Sequence, residues 1–136
     1  MFTIDHLGIA VKSLAAAKKF YEDLGMKVMS EETVEAEKVR LAMVPVGESR
    51  IELIEPTSEE SAIAKFLSKR GEGLHHVALH VDNLVATVER MKAAGTRFIS
   101  DEIKTGAGGH AYIFVHPSSA GGVLLELCQD QPVGVS

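Results

Sequence analysis

Two pairs of residues have the types and spacing to hold a divalent metal: His6 with Glu52, and His76 with Glu126. Each histidine sits in a short apolar run. These are His6-Leu7-Gly8-Ile9-Ala10-Val11 and His76-Val77-Ala78-Leu79-His80-Val81, 70 positions apart. Each glutamate recurs in the same way: Ile51-Glu52-Leu53 resembles Leu125-Glu126-Leu127 at an offset of 74. Side chains alternate across a strand. Leu7, Ile9 and Val11 therefore share one face, with His6, Gly8 and Ala10 on the other; Val77, Leu79 and Val81 oppose His76, Ala78 and His80 likewise. The branched face suits packing under a helix, and the small residues beside each histidine leave room. Glu126 is a lone carboxylate in an apolar run. Burying it unpaired would cost several kcal/mol, so it should be protonated, paired or bound to a cation.

His6, Glu52, His76 and Glu126 therefore read as metal ligands pointing into one cavity. Imidazole suits borderline divalent ions, and carboxylate adds harder character and offsets charge. The expected cofactor is one divalent ion: Co, Mn, Zn or Ni. Four ligands in an octahedral shell leave room for water or substrate, as a Lewis-acid catalyst requires. A single strand histidine is ordinarily a core or surface residue, so the duplication carries the assignment. The other four of the six histidines lack that support. His75 faces away from His76 and should pack or cap. His80 shares the face of His76. His110 follows a glycine loop and His116 precedes Pro117, so both read as loop residues within reach of a ligand.

The elements that must position these residues are duplicated too. The offset of 70 carries Ser13 onto Asn83, Leu14 onto Leu84 and Gly25 onto Gly95. Ser13 and Asn83 can each cap a helix. Leu14, Ala17, Tyr21 and Leu24 recur at helical spacing, as do Leu84, Val88, Met91 and Ala94, and a glycine stops each helix. Strands are expected at 26–31, 39–45 and 50–55, and again at 98–100, 111–116 and 123–128. Each copy reads βαβββ, over 3–56 and 73–130. Each is too short to bury a core alone, so the two should share one domain, 1–136. The expected fold is α+β: two paired βαβββ modules. Thr57 and Glu60 have capping-box spacing. They open a linker helix within 57–72 that should pack on the outside. The four residues gained by the second copy fall most simply in Gly106-Ala107-Gly108-Gly109.

Composition removes several function classes. The chain has 136 residues, with 14 Lys and Arg against 19 Asp and Glu, a net charge of −5. It lacks the basic footprint of a nucleic-acid binder. No apolar run approaches the roughly 18 residues of a membrane span, and no signal peptide is visible. The lone Cys128 excludes an internal disulfide and suits a reducing compartment. The expectation is a cytoplasmic protein without membrane or nucleic-acid partners.

A paired βαβββ chain with these residues resembles the vicinal oxygen chelate superfamily, and within it the methylmalonyl-CoA epimerases. The residues that carry the likeness are Ile4-Asp5-His6-Leu7-Gly8-Ile9-Ala10-Val11, Gly73-Leu74-His75-His76-Val77-Ala78, and Phe114-Val115-His116-Pro117 followed by Gly121-Gly122-Val123-Leu124-Leu125-Glu126-Leu127. The resemblance implies that the two modules form a half-open eight-stranded sheet around a metal, with ligands at His6, His76 and Glu126 and with Glu52 where glutamine is common. It implies epimerisation of (S)- and (R)-methylmalonyl-CoA through an enolate, with Glu52 and Glu126 moving the proton and His80 or a water as the fallback base. A carboxylate that some members carry on the third strand is replaced, by this register, with Arg40; Glu35 and Glu37 are off register. The resemblance also implies an acyl-CoA substrate, a homodimer and a place in propionate metabolism. Lys104, with Arg97 behind it, and His116 are the candidate CoA-binding residues. Rival expectations are a glyoxalase I-type isomerase (lactoylglutathione lyase), against which the His116-Pro117 turn counts, a non-catalytic binding protein of the superfamily, and, more weakly, a ring-cleaving dioxygenase.

Overall fold

The structure, a computed structural model, describes residues 2–131 apart from the Ala107 side chain; residue 1 and residues 132–136 of the expected domain lie outside the described residues. The first module comprises β1 (Thr3–Ala10), α1 (Leu14–Asp23), β2 (Glu31–Val34), β3 (Val39–Val46) and β4 (Ser49–Pro56). A helix α2 (Ala62–Arg70) follows. The second module comprises β5 (Gly73–His80), α3 (Leu84–Ala93), β6 (Lys104–Thr105), β7 (Ala111–Val115) and β8 (Leu125–Gln129). The α+β class and the two βαβββ modules are as expected. Packing sorts the chain into two compact units, His6–His75 and the stretch from His76 onward with the start of β1.

The strand order is β2-β3-β4-β1 in the first module and β5-β8-β7-β6 in the second. In each, the first strand runs parallel to the last, and the remaining pairs are antiparallel. The helices start where their caps place them. Ser13 Oγ accepts from Ala16 N at 3.1 Å, and Asn83 Oδ1 accepts from Ala86 N at 3.0 Å. A further tie was not anticipated. Leu14 N donates to Glu55 Oε2 at 3.0 Å, and Leu84 N donates to Gln129 Oε1 at 2.8 Å. The end of each module's last strand thus satisfies an N–H that a helix start leaves open. Gly25 and Gly95, at φ 101° and 91°, supply the left-handed stop.

Each helix covers the branched face of its own sheet. In the first module Leu14 packs with Val11, Ala42, Val44 and Leu53. In the second Leu84 packs with Val81, Val88, Ile113, Val115 and Leu127. Burying a leucine this fully contributes about 1.5–3 kcal/mol.

Several expected elements moved. The strand expected at 26–31 begins only at Glu31, because Met26 and Val28 are spent on packing under α1. The strand expected at 98–100 is reduced to one bridge, Phe98 to Val115; continuous pairing comes later, at Lys104–Thr105. The last strand begins at Leu125 rather than Val123, whose N–H closes a turn on Ala120 O at 3.2 Å. Ser61, not Thr57, caps α2, accepting from Ala64 N at 3.0 Å. Nor does α2 lie on the outside: Ile63, Phe66 and Leu67 pack on Ala10, Val39 and Ile54, on the same sheet face as His6. The extra residues are also placed differently. Met43 and Phe114 stand opposite the two glutamates and are 71 apart, whereas the glutamates are 74 apart. Three of the four insertions therefore fall between β7 and β8, around the Pro117–Ser119 turn.

Candidate metal centre and active site

Backbone register puts each histidine and glutamate on one face. On β1 and β4, Gly8 stands beside Glu52 and His6 beside Arg50. On β5 and β8, Ala78 stands beside Glu126. On this side the residue beside each glutamate is thus glycine or alanine. His6 Nε2 lies 3.6 Å from Glu52 Oε1, and His76 Nε2 lies 3.3 Å from Glu126 Oε1. All four are buried, with exposures of 2% and 8% in the first pair and 4% and 4% in the second.

These separations are longer than a good hydrogen bond. They match the edge of a coordination shell: two ligand atoms about 2.0–2.2 Å from one ion stand roughly 2.8–3.6 Å apart. In each pair a carboxylate and an imidazole suit a divalent ion, which would offset the charge of the buried acid. Each donor pair therefore fits such an ion.

The surroundings of the two glutamates differ. Opposite Glu52 on β3 stands Met43, with Leu41 and Val39 further along the same face. Arg40 pairs with Glu55 and lies on the other face with Ala42 and Val44, so the register that placed it in the site is corrected. No described residue on the Glu52 face of β3 is a proton carrier. Opposite Glu126 on β7 stands Phe114, with Tyr112 further along. Aromatic rings continue along this face: His76 to Phe114 at 5.4 Å, Phe114 to Tyr112 at 5.8 Å, and Tyr112 to His110 at 5.6 Å.

His110 is the residue that sequence reasoning undervalued. Its Nε2 lies 3.6 Å from Glu126 Oε2. Placing the extra residues in the glycine loop hid this; at the true offset of 71, His110 matches Val39 at the end of a strand on the site face. His80 instead lies 3.5 Å from Asp130. His75 packs edge-on against Phe66 at 5.0 Å, as expected of a packing residue. His116 caps its own turn, its Nδ1 accepting from Ser118 N at 3.0 Å. Arg97 joins that turn through Ser118 Oγ at 3.4 Å and Ser119 Oγ at 3.0 Å. Lys104 is exposed and pairs with Tyr112, which puts it on the Glu126 face. The glycine loop spends two N–H groups on itself: Gly106 N donates to His110 O at 2.9 Å and Gly109 N to Gly106 O at 3.0 Å.

The Glyoxalase/Bleomycin resistance protein/Dioxygenase superfamily is matched by residues 5–114. The chain is 40% identical to the mitochondrial methylmalonyl-CoA epimerase of Mus musculus, over 93% of this chain and 72% of that one. The crystal structure of methylmalonyl-CoA epimerase from Mycobacterium tuberculosis is similar with a TM-score of 0.89 and 39% identity, covering 95% of this chain and 88% of that one. A methylmalonyl-CoA epimerase in complex with methylmalonyl-CoA and NH4+ is similar with a TM-score of 0.88 and 37% identity, covering 98% and 96%. With a superfamily match over most of its length and this identity to enzymes of one activity, the chain belongs to the glyoxalase/bleomycin resistance protein/dioxygenase superfamily, among its methylmalonyl-CoA epimerases.

Proposed function

We propose that this protein interconverts the (S) and (R) forms of methylmalonyl-CoA, with one divalent ion held by His6, Glu52, His76 and Glu126. The observation that carries this reading is the duplicated buried His–Glu pair, at coordination-edge spacing in each module. The relatives that carry the activity by name support it.

The carbon to be inverted bears one proton and lies between a thioester and a carboxylate. Removing that proton sends its electron pair toward the thioester and leaves negative charge on the thioester oxygen. A bound divalent cation supplies positive charge where that oxygen becomes an enolate. Inversion needs removal on one face and return on the other, hence two proton carriers. Glu126 and Glu52 fill these roles. One begins as carboxylate and takes the proton; the other begins as acid and gives one to the opposite face. Val39, Leu41 and Met43 leave β3 without a carrier, which favours Glu52 in the first module. His80, whose Nε2 lies 3.5 Å from Asp130, remains the fallback base.

Lys104 meets the CoA phosphates, its exposed ammonium on the Glu126 face supporting that role. His116 contributes through Nε2, its Nδ1 being held by the turn, with Arg97 beside it. The ion is Co, Mn, Zn or Ni. The enzyme works as a cytoplasmic homodimer in propionate metabolism. The single cysteine of the sequence, Cys128, supports a reducing compartment, and no helix of the described residues is long and apolar enough to cross a membrane.

The test is solvent deuterium exchange on each substrate epimer with Glu52→Gln and Glu126→Gln, since glutamine keeps an oxygen ligand but takes no proton. Each variant should lose exchange with one epimer. Full exchange with both epimers in both variants would remove these glutamates as bases.

A further inference from the structure

We propose that His110 is a positioning residue: it engages the second oxygen of Glu126, so that this carboxylate meets the ion through one oxygen only. The inference rests on the metal reading above and deepens it. Glu126 is flanked on both sides. Its Oε1 lies 3.3 Å from His76 Nε2, and its Oε2 lies 3.6 Å from His110 Nε2. A carboxylate can hold a cation with one oxygen or with two. Two-oxygen binding takes an extra coordination position and ties up both lone-pair sets. An imidazole whose Nε2 stands 3.6 Å from Oε2 draws that oxygen away from the ion and so opposes that mode. The metal then keeps a position for substrate, and Oε2 stays outside the coordination shell, in reach of a proton.

The imidazole is held in place for this role. Its ring packs on Tyr112 at 5.6 Å, and its carbonyl accepts from Gly106 N at 2.9 Å. A Cβ on Gly106 would stand 2.8 Å from Tyr112 Cε1 and 3.1 Å from His110 Cε1. Only glycine lets the hairpin close this tightly on the two rings. The glycine loop therefore acts as a clamp on His110. At the matching place in the first module stands Val39, buried under Ile63 and without a side-chain donor. The device belongs to one glutamate of the two.

The test is Co2+ titration of the wild type, His110→Ala, His110→Gln, His110→Asn and Gly106→Ala. It reads the visible absorption of the bound ion and its affinity by calorimetry, alongside kcat and KM. Glutamine brings an N–H close to the Nε2 position, whereas asparagine stops near Nδ1. His110→Ala should alter the Co2+ spectrum and lower kcat by about 10–100-fold, the scale on which partners of metal ligands act. KM should rise as well, because the second oxygen of Glu126 would then take the position kept for substrate. His110→Gln should restore spectrum and kcat, His110→Asn should not, and Gly106→Ala should move both in the direction of His110→Ala. A wild-type spectrum and kcat in His110→Ala would overturn the proposal. Equal rescue by glutamine and asparagine would also overturn it, because side-chain bulk alone would then suffice. Normal Co2+ uptake with unresponsive variants defeats only the role of His110. A wild type that takes up no Co2+ defeats the metal reading, and this role with it.

Discussion

The two modules agree in backbone and disagree in side chains. Gly8 beside Glu52 corresponds to Ala78 beside Glu126, and a His–Glu pair recurs at 3.6 and 3.3 Å. Across the next strand the agreement stops. Met43 corresponds to Phe114, Leu41 to Tyr112 and Val39 to His110. The first module lines its glutamate with aliphatic groups and covers that face with α2. The second lines its own with aromatic rings, of which Tyr112 and His110 carry polar atoms. What stayed duplicated is the His–Glu pair proposed to hold an ion. What diverged is the surroundings of each carboxylate. An epimerase must treat the two faces of one carbon in opposite ways, and unlike surroundings for the two proposed carriers suit that task.

The largest expected effect tests whether the duplication is functional. His6→Ala and His76→Ala should each weaken Co2+ binding by more than the roughly 10–100-fold that outer partners of metal ligands carry. Calorimetry should find the two losses alike, and a strong inequality would mean that one module holds the ion alone. Next come the two cores. Leu14→Ala and Leu84→Ala should each cost about 2–5 kcal/mol in urea unfolding. Either variant unfolding in two steps would separate the modules as folding units. Smaller again are the caps: Ser13→Ala and Asn83→Ala should each cost about 1 kcal/mol, read from the same curves.

The smallest effect is a pH dependence confined to the first module. Lys18 Nζ lies 2.7 Å from Glu31 Oε2, and this hydrogen bond lowers the Glu31 pKa in the folded state. Its stabilisation is present above the unfolded carboxylate pKa and fades as pH falls through the lowered folded value. Lys18→Met should therefore lower Tm slightly at neutral pH and not at all in strong acid. The nearest counterpart, Lys92 to the Asp101 carbonyl at 3.2 Å, involves no acid and should show no such trend.

Much of this was legible in the chain because duplication turns weak signals into joint ones. His6 alone says little; His6 with His76, each beside small residues, fixes a strand face. The helices were legible because Ser13, Asn83, Gly25 and Gly95 act locally. Pairing was not local, and there the reading failed. Met26 and Val28 have strand character but pack under α1, so β2 starts later. Arg40 was read onto the wrong face because one residue of slip reverses every side chain. His110 was hidden for a related reason. The length gained between β7 and β8 was assigned to the loop before β7, which broke its match to Val39.

The bonds from Leu14 N to Glu55 and from Leu84 N to Gln129 have a consequence for precision. Glu55 lies three residues beyond Glu52, and Gln129 three beyond Glu126. Each ligand-bearing strand is thereby latched to a helix at its far end. The smallest slip that keeps a glutamate on its own face is two residues, a travel of about 6.6 Å. Such a slip would strip the helix start of its acceptor. The latch acts as a detent: the strand has one seated position, and that position sets the depth at which the carboxylate stands.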